Sequence, residues 1–287
     1  MNRLLCFGFG FCAGTLAERL AKSGWSITGT SRTAEGCAEI AARGFAAARF
    51  DALAPIDPSI IAAHGHVLLS IPPDEIGDPV LRLHLDHILA SGRSFRWIGY
   101  LSSTSVYGDR GGGWVDESAP LVPSSERAAR RVHAEEQWLG LSRTHGLPVH
   151  IFRLAGIYGP GRNQLLSIRA GTARAIVKPG QVFSRIHVED IAGVLEASMA
   201  MPRPGRIYNL CDNEPAPPEN VVAFAAELMS APPPPQVEIA LAGLSPMALS
   251  FYEDSKRVCN RRIKEELGYR LLYPTYREGL AALKATL

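Results

Sequence analysis

A chain of 287 residues with 46% hydrophobic content can bury a large core, as one domain or as two closely joined ones. Its net charge is +2 and it has no long basic run, so electrostatics give no case for a nucleic acid or a membrane surface, and no apolar run approaches a transmembrane span. Five scattered cysteines (Cys6, Cys12, Cys37, Cys211 and Cys259) lack the close spacing of a zinc or redox pair; this predicts reduced, mostly buried thiols in a cytoplasmic protein, and no metal site.

The N-terminal stretch after Arg3 is apolar, as in a secretory leader, but its two glycines and its exit into an amphipathic helix argue against one. Leu4 to Phe7 is short enough for a buried strand, and Gly8-Phe9-Gly10 forms a turn. A helix follows with Leu16, Ala17, Leu20 and Ala21 on one face, and it closes at Gly24. Trp25 to Thr30 is the next parallel strand. Gly8, Gly10 and Ala13 are therefore spaced as G-x-G-x-x-A inside a βαβ unit, the fingerprint of a dinucleotide site. Gly8 permits the tight turn, Gly10 lets the backbone approach a pyrophosphate, and Ala13 lets the helix lie close on the sheet.

The end of that second strand selects the cofactor. An NAD site places a carboxylate there for the ribose 2′-hydroxyl, whereas this chain has Thr30, Ser31 and Arg32. Hydroxyls with a guanidinium suit a 2′-phosphate, which favours NADP over NAD, although Arg32 in a solvated loop is the plain alternative.

Ala34 to Arg43 reads as a helix and Ala46 to Phe50 as a third strand. Asp51 then lies either near an adenine or in an ordinary turn. Val67 to Ile71 is a fourth strand, with Ser70 near its end as a further candidate cofactor contact, and Pro72-Pro73 stops it. A helix over Pro79 to Ala90 and a fifth strand over Phe95 to Leu101 lead into Ser102-Ser-Thr-Ser-Val-Tyr-Gly108. The Gly-, Pro- and Ser-rich segment 109–125 reads as a mobile loop or lid. A helix over about Ser125 to Thr144 has Val132, Trp138 and Leu139 on its apolar face, and a sixth strand spans Val149 to Arg153. Ile186 to Val188 is a shorter strand before a helix to about Met201, and Pro232 to Pro235 reads as a linker or an extended crossing segment. The expected fold is α/β: a Rossmann-type, doubly wound parallel sheet over residues 1–155, with a smaller C-terminal substrate-side region over 156–287.

From Ser102-Ser-Thr-Ser-Val-Tyr-Gly onward the chain resembles the extended short-chain dehydrogenase/reductase superfamily, in its NAD-dependent epimerase/dehydratase branch. Phe152-Arg-Leu-Ala-Gly-Ile-Tyr-Gly-Pro-Gly-Arg162, Arg185-Ile-His-Val-Glu-Asp-Ile-Ala192, Ile207-Tyr-Asn-Leu-Cys-Asp212, and the terminal segment from Lys256 to Tyr273-Pro agree with it in order. The resemblance implies that Ser103 hydrogen-bonds the substrate oxygen; the alternative is a turn or N-cap serine. It also implies a Tyr-x-x-x-Lys pair on the following helix, and here Arg127 and Arg131 occupy those two positions. Arg131 can supply positive charge near the ribose, but Arg127 cannot act as a base, because a guanidinium stays protonated. The chain therefore resembles the atypical subgroup that has altered the usual tyrosine. Tyr107, Tyr158, His133 and His187 are the other titratable groups in the motifs, with Tyr107 counted among the catalytic candidates. Tyr158, Arg162 and Arg185 are candidate substrate contacts by resemblance, and each arginine reads equally as a plain surface charge.

Two readings stay open. In one, the protein is an NADP-dependent enzyme of the epimerase, dehydratase or reductase type, acting on a sugar nucleotide or similar polar small molecule. In the other, it is a weakly active or inactive NADP-binding sensor or interaction protein. The expected partners are a small-molecule substrate and no nucleic acid or membrane, and the resemblance admits a homodimer through the helices near 80–90 and 125–144.

Overall fold

A computed structural model describes residues 2–287. Over the first hundred residues strands alternate with helices: β1 (Arg3–Phe7), α1 (Phe11–Ala21), β2 (Ser26–Ser31), α2 (Ala34–Ala42), β3 (Ala46–Arg49), α3 (Pro58–Ala62), β4 (His66–Leu69), α4 (Pro79–Ala90) and β5 (Trp97–Ser103). Side chains just ahead of the helices satisfy their free amides. Thr33 Oγ1 accepts from Gly36 N at 3.1 Å, and Asp78 Oδ1 accepts from Val80 N and Leu81 N at 2.9 and 3.0 Å. Pro58 and Pro79 stand in the first turn of their helices, where a missing N–H costs nothing.

The chain continues through β6 (Trp114–Val115), α5 (Glu126–His145), β7 (Val149–Leu154), β8 (Gly156–Tyr158), α6 (Gln164–Arg169), β9 (Ala175–Val177), β10 (Arg185–His187) and α7 (Val188–Ala200). It ends with β11 (Ile207–Leu210), α8 (Pro218–Leu228), β12 (Gln236–Glu238), α9 (Pro246–Tyr252), β13 (Arg257–Val258), α10 (Arg261–Leu267) and α11 (Tyr276–Lys284).

Seven strands form one sheet in the order β11-β7-β5-β4-β1-β2-β3, a Rossmann-type α/β arrangement. Parallel register sets Phe7 opposite Leu69 and Cys6 opposite Gly29. The chain leaves β1 for β2 on one side, and β4 enters on the other. The strand order thus reverses beside the carboxyl end of β1, where open α/β sheets bind ligands.

Two compact units share the chain. The first holds residues up to Ser103, Arg130–Arg153 and Ile191–Tyr208; the second holds Thr104–Ala129, Leu154–Asp190 and Asn209–Leu287. In the first, Leu5, Phe7, Val67, Leu69, Ile98, Tyr100, Ala134, Trp138 and Ile151 pack into one buried cluster. Trp138 is wholly buried, and its indole N–H donates to Asp78 Oδ2 at 3.0 Å, which joins α5 to the cap of α4. Burying such a ring contributes roughly 1.5–3 kcal/mol. In the second unit, Tyr158, Leu165, Val221, Ala225, Tyr276 and Leu280 form the core, and a Thr275/Glu278 capping box starts α11.

One stretch differs from its expectation. The segment 109–125 is tied down rather than free: Arg110 N and Gly112 N donate to Ser255 O at 3.0 and 2.9 Å, Ser255 N donates to Asp109 Oδ1 at 2.7 Å, and β6 pairs with β13. A Cβ on Gly108 would lie 1.8 Å from Val122 O, so only glycine lets the segment fold back so closely. At residues 232–235 the linker alternative fails and the extended crossing segment holds. Pro235 O accepts from Ala175 N at 3.0 Å, and β12 then pairs with β9.

Candidate functional site

The first unit gathers the dinucleotide candidates at the carboxyl ends of its strands. Gly8 has φ +85, a conformation open mainly to glycine, and a Cβ there would lie 2.9 Å from Ile71 Cγ1. Its N–H donates to Thr30 Oγ1 at 2.8 Å, and Phe9 N donates to Thr30 O at 3.1 Å, so the turn is clamped to the end of β2. Ser70 N donates to Phe7 O at 2.9 Å, which puts Ser70 beside the same turn. Gly10 differs from Gly8. A Cβ on Gly10 would meet nothing within 4 Å, and Gly10 caps α1 without a side-chain bond. No acidic residue lies in the first turn of α1. An open helix N-terminus without a competing carboxylate fits an anionic pyrophosphate. Ala13 is fully buried, as close helix–sheet packing requires.

Ser31 and Arg32 end β2. Ser31 is half-buried, and its hydroxyl occupies the space over Gly36, where a Cβ would come within 2.1 Å. Arg32 is exposed and enters no ion pair among the described residues. Asp51, at the end of β3, accepts from Leu53 N at 3.0 Å and from Arg49 Nη2 at 3.3 Å, the bonding of a turn residue. Ser103 ends β5 and is half-buried. Its neighbour Ser102 is held from below, because Ser102 Oγ donates to Glu135 Oε1 at 2.5 Å. Arg131 Nη1 donates to Leu101 O at 3.0 Å, which brings its guanidinium to the same strand end.

The second unit holds the rest. Arg127 is exposed, with its Cζ 4.9 Å from the centre of the Phe251 ring. Tyr107 is fully buried and donates to Asn209 Oδ1 at 2.7 Å. Arg162 closes the Gly159–Arg162 turn, with its side chain exposed. Tyr158, Arg185 and His187 are brought together. The Tyr158 ring meets His187 edge-on at 5.1 Å, and Tyr273 lies 4.1 Å from the other side of the imidazole. Burial pushes the Tyr158 phenol above its ordinary range and lowers His187 to about 4, so the imidazole is neutral at neutral pH. His187 Nδ1 accepts from Glu189 N at 3.2 Å, which leaves the ring proton on Nε2. Arg185 is buried and donates through Nη1 to Phe183 O and Ala216 O at 2.8 and 3.1 Å. His133 is exposed.

Sequence reasoning missed Asp212. It is 1% exposed, Oδ1 accepts from Glu214 N at 3.1 Å, and Oδ2 has no hydrogen-bond partner among the described residues. Burial raises its carboxyl to about 7, against the pull of Arg185. Its sequence signal was its place at the end of the Ile207-Tyr-Asn-Leu-Cys-Asp212 motif, directly after the apolar run of β11.

The model of the NAD dependent epimerase/dehydratase family matches residues 85–211, from within α4 to just past β11. Protein YeeZ of Escherichia coli (strain K12) is 30% identical over 293 aligned residues, covering 96% of this chain and 97% of YeeZ. The chain belongs to the NAD-dependent epimerase/dehydratase family. Within this branch of the extended short-chain dehydrogenases/reductases, a protein from Silicibacter pomeroyi DSS described as functionally unknown is 52% identical. That match covers 100% of this chain and 99% of the other, with a TM-score of 0.91. A dTDP-glucose 4,6-dehydratase from Bacillus anthracis str. Ames, solved in complex with NAD, shares the fold at 17% identity and a TM-score of 0.77, over 100% and 97% of the two chains. The family match begins beyond the Gly8–Ala13 turn, so the reading of that turn stands on its own geometry.

Proposed function

We propose that the protein binds NADP(H) over the Gly8–Ala13 turn and acts as an oxidoreductase of the epimerase, dehydratase or reductase type. The substrate is a sugar nucleotide or a similar polar molecule, as the dTDP-glucose dehydratase likeness suggests. The observation that carries the cofactor choice is the end of β2, where Ser31 and the unpaired, exposed Arg32 stand in place of a carboxylate.

A bound nicotinamide supplies hydride acceptance or donation. The amides at the start of α1 hold the pyrophosphate, and Arg32 with Ser31 holds the 2′-phosphate. Ser103 orients the substrate oxygen, and Arg131 adds positive charge at the end of β5. Tyr107, bonded inward to Asn209, holds the Val106-Tyr107-Gly108 turn in shape. In the second unit, Tyr158, Arg185 and Arg162 are the candidate substrate contacts.

A second reading is favoured by Arg127. It stands at the position where the family's tyrosine serves as base, and a guanidinium cannot take a proton. The protein is then an NADP-binding sensor or interaction module with little chemistry. Fluorescence titration with NADPH and NADH tests the cofactor choice. A substrate screen in the presence of NADP(H) separates the enzyme from the sensor.

A further inference from the structure

We propose that the second unit carries a separate small-molecule site, a cavity that takes a compact phosphate monoester. Asn213, Lys264, Tyr269, Arg270, Leu271 and Pro274 line a cavity of about 470 Å³. None of them belongs to the dinucleotide or substrate residues above. Small-molecule sites span roughly 300–1,000 Å³, so there is room for an organic body as well as its charged group.

The walls are fixed. Gly268, at φ +61, ends α10, and Tyr269 N donates to Ile263 O at 3.1 Å. Asp190 then pins the strap that follows, accepting from Tyr269 Oη at 3.0 Å, Leu272 N at 2.6 Å and Tyr273 N at 3.0 Å. Asn213 N donates to Pro274 O at 2.8 Å and closes the other side.

The charged residues of the lining, Lys264 and Arg270, are both cations. Lys264 Nζ donates to Asn213 Oδ1 at 2.7 Å, and among the described residues neither Lys264 nor Arg270 has a carboxylate within 4 Å. The acids of α10 are taken up elsewhere, Glu265 with Arg261 and Glu266 with Arg262, each at 3.7 Å. Two unneutralised cations match a phosphate dianion better than a single carboxylate. Arginine adds the planar fork that grips phosphate oxygens. Tyr269, Leu271 and Pro274 offer ring and aliphatic surface to the organic part.

The test titrates the full chain with phenyl phosphate and with phenol, following backbone amide signals by NMR. The expected result is saturable shifts at residues 211–214 and 262–275 with phenyl phosphate, persisting when NADPH is also present, and none with phenol. Lys264→Gln together with Arg270→Gln, both at exposed positions, should weaken phenyl phosphate by about tenfold or more, the loss of one to two charge-assisted bonds. No shift at residues 211–214 and 262–275, equal binding of phenol there, or unchanged affinity in the double variant would overturn the proposal. Binding at Gly10 plays no part in it, so its failure and that of the dinucleotide reading are separable.

Discussion

Glu135 and Arg153 meet as a buried bidentate pair. Arg153 Nε lies 3.1 and 3.2 Å from the two carboxylate oxygens, Nη2 lies 2.7 Å from Oε2, and the side chains are 2% and 3% exposed. Ser102 Oγ adds a third donor to the carboxylate, so the pair supports the strand end that presents Ser103. Removing one member strands a charge in the core, and Glu135→Leu should cost about 3–5 kcal/mol in denaturant unfolding. Glu135→Leu with Arg153→Met should lose less than Glu135→Leu alone. A double loss equal to the sum of the two single losses would show that the charges do not act as a pair.

The two glycines of the opening turn should respond in opposite ways. Gly10→Val meets no atom within 4 Å at its Cβ and should cost no more than about 1 kcal/mol, the loss of a favourable N-cap residue, while abolishing dinucleotide binding. Gly8→Val is forced into φ +85 against Ile71 and should cost about 1–2 kcal/mol or more. Thermal unfolding and NADPH titration of both variants check this. Normal binding by the stable Gly10→Val protein would reduce the motif to a simple turn.

Asp212 predicts a pH dependence of stability. Its folded carboxyl sits at about 7, above the unfolded value, so the folded state holds its proton more tightly. Its contribution is fully present below the unfolded pKa and fades as pH rises from about 4 through 7. Asp212→Asn removes that loss. Relative to the parent, the variant should gain stability between pH 4 and 8, by at most on the order of 4 kcal/mol. Parallel stability–pH curves for the two proteins would contradict the assignment.

How the fold shows in the sequence differs between the units. The β1-α1-β2 stretch was readable because each local signal agreed: a short apolar run, glycines at the turn, a 3.6-residue period and a second run on schedule. The caps at Thr33 and Asp78 are equally local. The second unit is built from strands of two or three residues, such as β6 with β13 and β9 with β12, whose partners lie more than fifty residues away. Runs so short carry no period, so 109–125 read as a loop, and the prolines before β12 read equally as a linker or an extended crossing segment. The helices α8, α10 and α11 were not read, although α11 carries a local signal in its Thr275/Glu278 capping box. Asp190 and Asp212 were hidden differently: a carboxylate in a sequence does not show whether it ends up in water or among tyrosines. The positions of Arg127 and Arg131 came from motif alignment, and local pattern alone would have marked them as an ordinary charged helix face.

For chemistry, Ser103→Ala should reduce any turnover found in an NADP(H) substrate screen. Arg127→Tyr should raise it. A positioned acid–base group typically contributes about 10²–10⁴-fold, so the natural chain should be slow. Turnover indifferent to Ser103→Ala would remove Ser103 from the catalytic set. Activity absent from both Arg127→Tyr and the parent, with NADPH still bound, would favour the sensor reading.

The central claim, an NADP site built on the β1-α1-β2 unit, is tested most directly by titrating the purified protein and its Arg32→Asp variant with NADPH and NADH under identical conditions. The parent should bind NADPH more tightly. Arg32→Asp should lose NADPH affinity by about tenfold or more, the loss of a charge-assisted phosphate contact, and should keep or gain affinity for NADH. Equal affinity of the parent for both cofactors, or a preference for NADH, would contradict it.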